Sequence, residues 1–212
     1  MPPLISHAHV VPIVSYQSRW LRIAGTTAEL RLGDFALTPS RELSPGLKVK
    51  YEDSGYEAND SPYLAGMDQR KSSLWEGLGV DWKTPVAKLS AEWVADLSGN
   101  SKGQKLQVQI DRRFQWESLG ITPRIQAHWM DAKYVDYCFG VRESEVSTGR
   151  PAYVGAAAMA TEAGLRPDYQ LTEHNTVFMD LGATALPDEI KKRPIVGRNN
   201  TSRVTLGYLY RS

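Results

Sequence analysis

The stretch from Ala87 to Leu97 alternates with a period of two. Ala87, Leu89, Ala91, Trp93, Ala95 and Leu97 are apolar, while Lys88, Ser90, Glu92 and Asp96 are polar and only Val94 breaks the polar side. Successive side chains of a β-strand point to opposite faces, so this pattern predicts a strand with one oily and one wet face. The same rhythm recurs along most of the chain. The fold therefore turns on whether the oily faces look inward to a protein core or outward to lipid.

Composition removes several alternatives. Lys plus Arg number 25 and Asp plus Glu 24, so a net charge of +1 gives no electrostatic case for a nucleic-acid partner. The mean hydropathy is negative, and no run approaches the ~18 apolar residues of a membrane-crossing helix. A barrel strand hides this signal, because only alternate residues touch lipid. One cysteine, Cys138, forbids an internal disulfide. Met1-Pro2-Pro3-Leu4 lacks the basic start and apolar stretch of a signal peptide; the chain reads as cytosolic or as a processed or truncated form.

Turn residues separate ten expected strands: 9–17, 19–32, 35–52, 74–83, 87–97, 104–115, 121–131, 154–169, 176–185 and 203–211. Pro39 and Pro45 weaken the first half of the third. The segments 53–73, 132–153 and 186–199 are long and 98–103 modest, whereas the links near Pro85, Ser118 and Thr172 are short. Short turns at one end and long loops at the other are the asymmetry of a bacterial outer-membrane barrel. With an even strand count, both termini fall at the short-turn, periplasmic end. Trp75, Trp82, Trp93, Trp116, Trp129 and Tyr208 lie near strand ends or on oily faces, as interfacial aromatics do. Arg112 sits on the apolar side of the sixth strand. Near a membrane edge an outward Arg costs about 0–1 kcal/mol, against about 2–4 at mid-depth, which places it close to an edge.

Particular words then stand out. Met67-Asp68-Gln69-Arg70-Lys71-Ser72-Ser73 precedes a Gly-alternating strand. Tyr137-Cys138-Phe139-Gly140-Val141 is followed by Glu143-Ser144-Glu145 and by Gly149-Arg150-Pro151-Ala152-Tyr153. Asp188-Glu189-Ile190-Lys191-Lys192-Arg193-Pro194-Ile195-Val196 comes late. In this order, from about Val11 to Tyr210, the chain resembles the MipA/OmpV family of Gram-negative outer-membrane proteins. The resemblance implies an all-β, antiparallel transmembrane β-barrel, a single domain over residues 1–212, in the cell outer membrane. It also implies a signal peptide and an upstream Gly-rich strand that this chain does not contain. The family's namesake is described as a scaffold that binds a lytic murein transglycosylase and a bifunctional penicillin-binding protein; other members are porin-like or surface-interaction proteins. Two departures stand at its positions: Tyr210-Arg211-Ser212 ends in serine where the family ends in an aromatic, and Cys138 replaces a common tyrosine.

The residues mark no catalytic, cofactor-binding or metal-binding site, and no motif assigns partner-binding residues. His7 and His9 would share a strand face, but zinc needs three or four ligands. His128 falls on a wet face with Arg124 and Gln126, without a nucleophile marked beside it. His174 lies in a turn. Glu143, Glu145, Asp188 and Glu189 lie in long loops, without a calcium-loop pattern, and read as a solvated face. The wet set Lys48, Lys50, Glu92, Asp96, Gln107, Gln109, Asp111, Arg113, Arg124 and Asp180 is mixed in sign. It would line or plug a lumen through ion pairs and amide hydrogen bonds, and argues against strong ion selectivity. The expected function is a non-enzymatic outer-membrane scaffold or surface protein, bound to outer-membrane lipid. The alternatives are a narrow porin-like channel, a soluble lipocalin-like barrel with its oily faces turned inward, and a barrel lipase working through His128.

Overall fold

The computed structural model describes residues 15–187 and 200–210. They form thirteen strands: β1 Ser15–Gln17, β2 Leu21–Ala24, β3 Thr27–Arg31, β4 Phe35–Thr38, β5 Arg41–Glu52, β6 Ser73–Lys83, β7 Lys88–Asp96, β8 Gln104–Asp111, β9 Phe114–Trp116, β10 Leu119–Met130, β11 Ala158–Gln170, β12 Asn175–Ala185 and β13 Asn200–Tyr210. One α-helix, α1 (Ala132–Phe139), lies between β10 and β11. All pairings are antiparallel, and the strands follow chain order as an up-and-down sheet, with β4 beside β5 and β9 beside β10 off the main path.

Local chemistry explains where the strands break. Asp111 faces Arg124 and Phe114 faces Ile121, so β8 and β9 keep one register along β10. They are one strand, interrupted opposite Pro123, which has no N–H for the ladder. Arg31 faces Gly46 but Phe35 faces Leu43. One extra residue on the β3–β4 side makes a bulge, with Gly33 at φ 129°. Gly33-Asp34, expected to separate two strands, is that bulge. The turns fall instead at Gly25-Thr26, where Gly25 has φ 58°, and at Pro39-Ser40. The eighth expected strand begins at Ala158 rather than Val154.

The path thus holds eleven ladder positions. Because that number is odd, Ser15 lies at the long-loop end and β13 finishes at the short-turn end; the expectation that both termini share one end falls on residues outside the described ones. The links 53–72, 97–103 and 131–157 gather at the loop end, and 84–87, 117–118 and 171–174 at the turn end. The 186–199 link runs mostly outside the described residues.

Polarity is inverted relative to a soluble protein. Leu78 is 54% exposed, Trp93 40% and Ile125 59%, while Gln126 and Glu162 are each 8% exposed. Oily side chains face outward and charged ones inward, so the lipocalin arrangement does not hold. The sheet is also strongly curled. Glu52 on β5 and Lys105 on β8 are three strands apart, about 14 Å on a flat sheet, yet their charged atoms lie 2.5 Å apart. Among the described residues no bridge joins β1 to β13. No described helix is long and apolar enough to cross a membrane.

The outward face carries two aromatic levels. Trp93, Leu106, Trp129 and Met159 share a row at the loop end. Trp82, Phe114, Trp116, Tyr169 and Tyr208 are exposed toward the turn end. Along β10, Leu119 (beside Trp116) and Trp129 are ten residues apart. That is about 33 Å at ~3.3 Å per residue, or about 25 Å along the membrane normal at a tilt near 40°, the height of an outer-membrane barrel's apolar band.

Candidate functional site

The most elaborate part of the molecule is the mouth at the loop end, where α1 folds back over the concave side. Eight residues are too few for a helix that stands alone. Asp131 caps it, its carboxylate accepting from the Tyr134 amide at 2.9 Å. Its buried face, Tyr134, Val135 and Cys138, packs on Trp75, Val94 and Ala158, inward residues of β6, β7 and β11. Trp75 and Tyr134 meet edge to face, 5.5 Å between centroids. Gly103 allows this approach, since a Cβ there would fall 2.7 Å from that of Tyr134. Trp75, expected at the lipid interface, is instead wholly buried on the inner face.

Lys105 lies beneath the helix with its ammonium 4.0 Å from the Trp75 centroid and 3.9 Å from that of Tyr134. The Glu52 carboxylate closes on it and accepts from the Tyr134 hydroxyl at 3.1 Å. Cation, rings and carboxylate thus join β5, β6, β8 and α1 in one cluster.

Above the helix, the links 53–72 and 131–157 clamp together on a buried ion pair. The two outer nitrogens of Arg70 lie 2.9 Å from the two Glu145 oxygens. Its Nε donates to the Tyr137 carbonyl at 2.7 Å, and the guanidinium lies near the Tyr56 and Tyr137 rings. Glu145 also accepts from the Asp68 and Arg142 amides. Burial alone would raise the Glu145 carboxyl, but the Arg70 guanidinium and these two amides hold it down to about 2. Burial pushes the Tyr134 phenol well above its ordinary range. Arg150, also buried, donates to the carbonyls of Glu145, Tyr63 and Ala65. Arg142 pairs with Asp68 at 2.6 Å. Glu145, expected in a solvated loop, is therefore a buried partner; Glu143 is exposed.

Below the plug the inner face is lined by paired charges. Lys48 meets Glu92 at 2.8 Å, with Lys50 at 3.9 Å from the same carboxylate. Arg124 bridges Glu162 and Asp180 at 3.0 and 2.8 Å. Arg113 holds Asp168 at 2.6 Å, Gln107 reaches Gln126 and Gln109 reaches Asp111. Inward glycines make room: a Cβ on Gly79 would fall 2.5 Å from Lys48, and one on Gly164 would strike Arg124. Asp96 faces inward too, but its carboxylate organises the 98–103 loop through Ser98, Ser101 and Lys102.

His128 faces inward on β10, interacting electrostatically with Glu162, Lys50, Arg203 and Glu92; no hydroxyl or thiol hydrogen-bonds it among the described residues. His174 lies in the β11–β12 turn. His7, His9, Asp188 and Glu189, with the late Asp188–Val196 word, lie outside the described residues. Among the described residues no group of three or more His, Cys, Asp or Glu could hold a metal ion. The sequence reading missed α1 and the Arg70–Glu145 clamp. Two signals pointed there: Val94, the lone apolar residue on a wet face, and Trp75, on the glycine side of its strand. The words Met67–Ser73, Tyr137–Val141, Glu143–Glu145 and Gly149–Tyr153 converge on this plug.

Comparison with known proteins agrees with this geometry. YiaT of Escherichia coli strain K12 is 25% identical over 204 residues, covering 95% of this chain and 81% of that protein. The 24 kDa outer membrane protein of Pasteurella multocida is 25% identical over 214 residues, 93% of this chain and 78% of its own. The MltA-interacting protein of E. coli strain K12 is 23% identical over 206 residues, 95% and 80%. No solved structure matches. With relatives named as outer membrane proteins and an oily outer face, the chain is an outer-membrane protein. A model described as MltA-interacting protein MipA matches residues 6–212, and the chain belongs to that family.

Proposed function

We propose that this chain is a non-enzymatic barrel, one domain over residues 1–212, that serves as a scaffold for peptidoglycan-remodelling enzymes. Its partner is of the lytic murein transglycosylase class, with a bifunctional penicillin-binding protein as a second. The observation that carries this reading is the covered mouth over an ion-paired inner face. Ion pairs cross the inner face and α1 covers its mouth, which points to the outer surfaces as the place where function is exercised. A relative named MltA-interacting protein supports the partner class. Sidedness selects the surface: in such barrels short turns face the periplasm, where peptidoglycan lies. The docking end is then the one formed by the 84–87, 117–118 and 171–174 links.

The test is cross-linking from Val86→Cys, in an exposed turn residue, in envelopes probed for murein transglycosylase and penicillin-binding protein. Retention from Val86→Cys and none from a Val154→Cys control at the loop end is the expected result. Equal retention from both, or from neither, overturns the scaffold reading. A porin-like reading fails separately if purified protein shows no conductance steps in planar bilayers, as the plug leads us to expect.

A further inference from the structure

Arg112 and Arg113 are chain neighbours on opposite faces of the sheet. Arg113 turns inward and is held by both oxygens of Asp168, at 2.6 and 2.7 Å. Arg112 turns outward, onto the face that carries Val108, Ile110, Phe114 and Trp116. Among the described residues no carboxylate pairs with it. Its guanidinium lies 5.0 Å from the Phe114 ring centroid, and Phe114 stacks on Trp116 at 5.9 Å and 16°. Since Phe114 is two residues closer to the turn end, the side chain bends out of the apolar band toward the headgroup level.

The backbone marks the same level. The Arg112 amide donates to the Pro123 carbonyl at 3.3 Å, but proline has no N–H to return the bond. An unsatisfied ladder position costs several kcal/mol in hydrocarbon and is tolerated where water or headgroups reach. A cation that no carboxylate pairs with among the described residues, beside an aromatic stack, thus stands at the rim of the band. The anion available at that depth is a lipid phosphate.

We infer that Arg112, with Phe114 and Trp116, binds the phosphodiester headgroup of an anionic phospholipid in the leaflet at the turn end. The guanidinium would take the phosphate oxygens, and the ring stack would hold the side chain at headgroup depth.

Native mass spectrometry of the full chain, offered equal phosphatidylglycerol and phosphatidylcholine, tests this. One basic residue near a membrane surface contributes about 1 kcal/mol, so phosphatidylglycerol should be retained with roughly fivefold preference. Arg112→Gln should abolish the preference and Arg112→Lys keep most of it. An unchanged preference in Arg112→Gln, or none in the wild type, overturns the inference. Folding is read separately by the unheated gel shift. Should Arg112→Gln not fold, Phe114→Leu keeps the charge while removing its ring; it should lose part of the preference, and full retention overturns the inference. A wild type without the shift would instead fault the lipid-facing assignment itself.

Discussion

The two ends of the sheet are held by different kinds of interaction. At the turn end each link is short and satisfies itself locally. Thr84 accepts from the Val86 and Ala87 amides and donates to the Ala87 carbonyl, and Thr172 does similar work for Asn175. At the loop end, segments some seventy residues apart meet on a buried ion pair, with Arg70 and Glu145 each 2% exposed. Local turns need no partner elsewhere in the chain. The plug forms only after both long links have been brought together, so it depends on a few charges taken out of water together. The comparison separates a surface that is stable by default from one that a single substitution can open.

The largest effect should come from that clamp. Arg70→Ala leaves Glu145 buried and unpaired, a loss of about 3–5 kcal/mol. Protease added outside intact cells should then cut 53–72 and 131–157, while the gel shift of the folded sheet survives. Loops that stay resistant would mean that the two ends do not differ as described. Next is Ala91→Arg, mid-strand on the outward face, at about 2–4 kcal/mol for a cation at mid-depth. It should block assembly at both ends alike. Glu92→Gln, one residue along and facing inward, still offers an acceptor to Lys48 and should assemble nearly normally. Equal tolerance of both would void the facing assignment. Smaller again is Thr84→Ala, which removes turn hydrogen bonds of about 1 kcal/mol net; it should lower the denaturation midpoint slightly and leave loop protection untouched.

The contrast also explains what could be read from the sequence. Facing was legible because period two survives in every long strand: Leu106, Val108 and Ile110 point out while Gln107, Gln109 and Asp111 point in. Strand ends were less legible. Gly33-Asp34 offers the same chemistry for a bulge as for a turn, and only its pairing with β5 decides between them. The lumen set was recovered because charged residues on a face opposite to lipid must find one another. The plug was not, since α1 is short and its anchors Glu145 and Arg150 are distant in sequence from Arg70, Trp75 and Val94. Burial of a loop carboxylate depends on where a guanidinium arrives in space, and no spacing rule records that.

Acid gives the mildest test of the loop end. The Glu145 carboxyl is held at about 2, against an ordinary 4.5. A lowered carboxyl contributes stability that is fully present above its unfolded value and lost as pH falls through its folded one. The clamp should therefore be unchanged from pH 7 to 5, keep most of its strength at pH 4, and open as pH approaches 2. Pepsin, active across the lower part of this window, should cut the 53–72 and 131–157 links of the wild type only near its acid end. Glu145→Gln has no charge to lose there. Its loops should be cut more readily at pH 4, with little further change down to pH 2. An identical acid transition in Glu145→Gln would show that the hold on the plug does not lie in its buried centre.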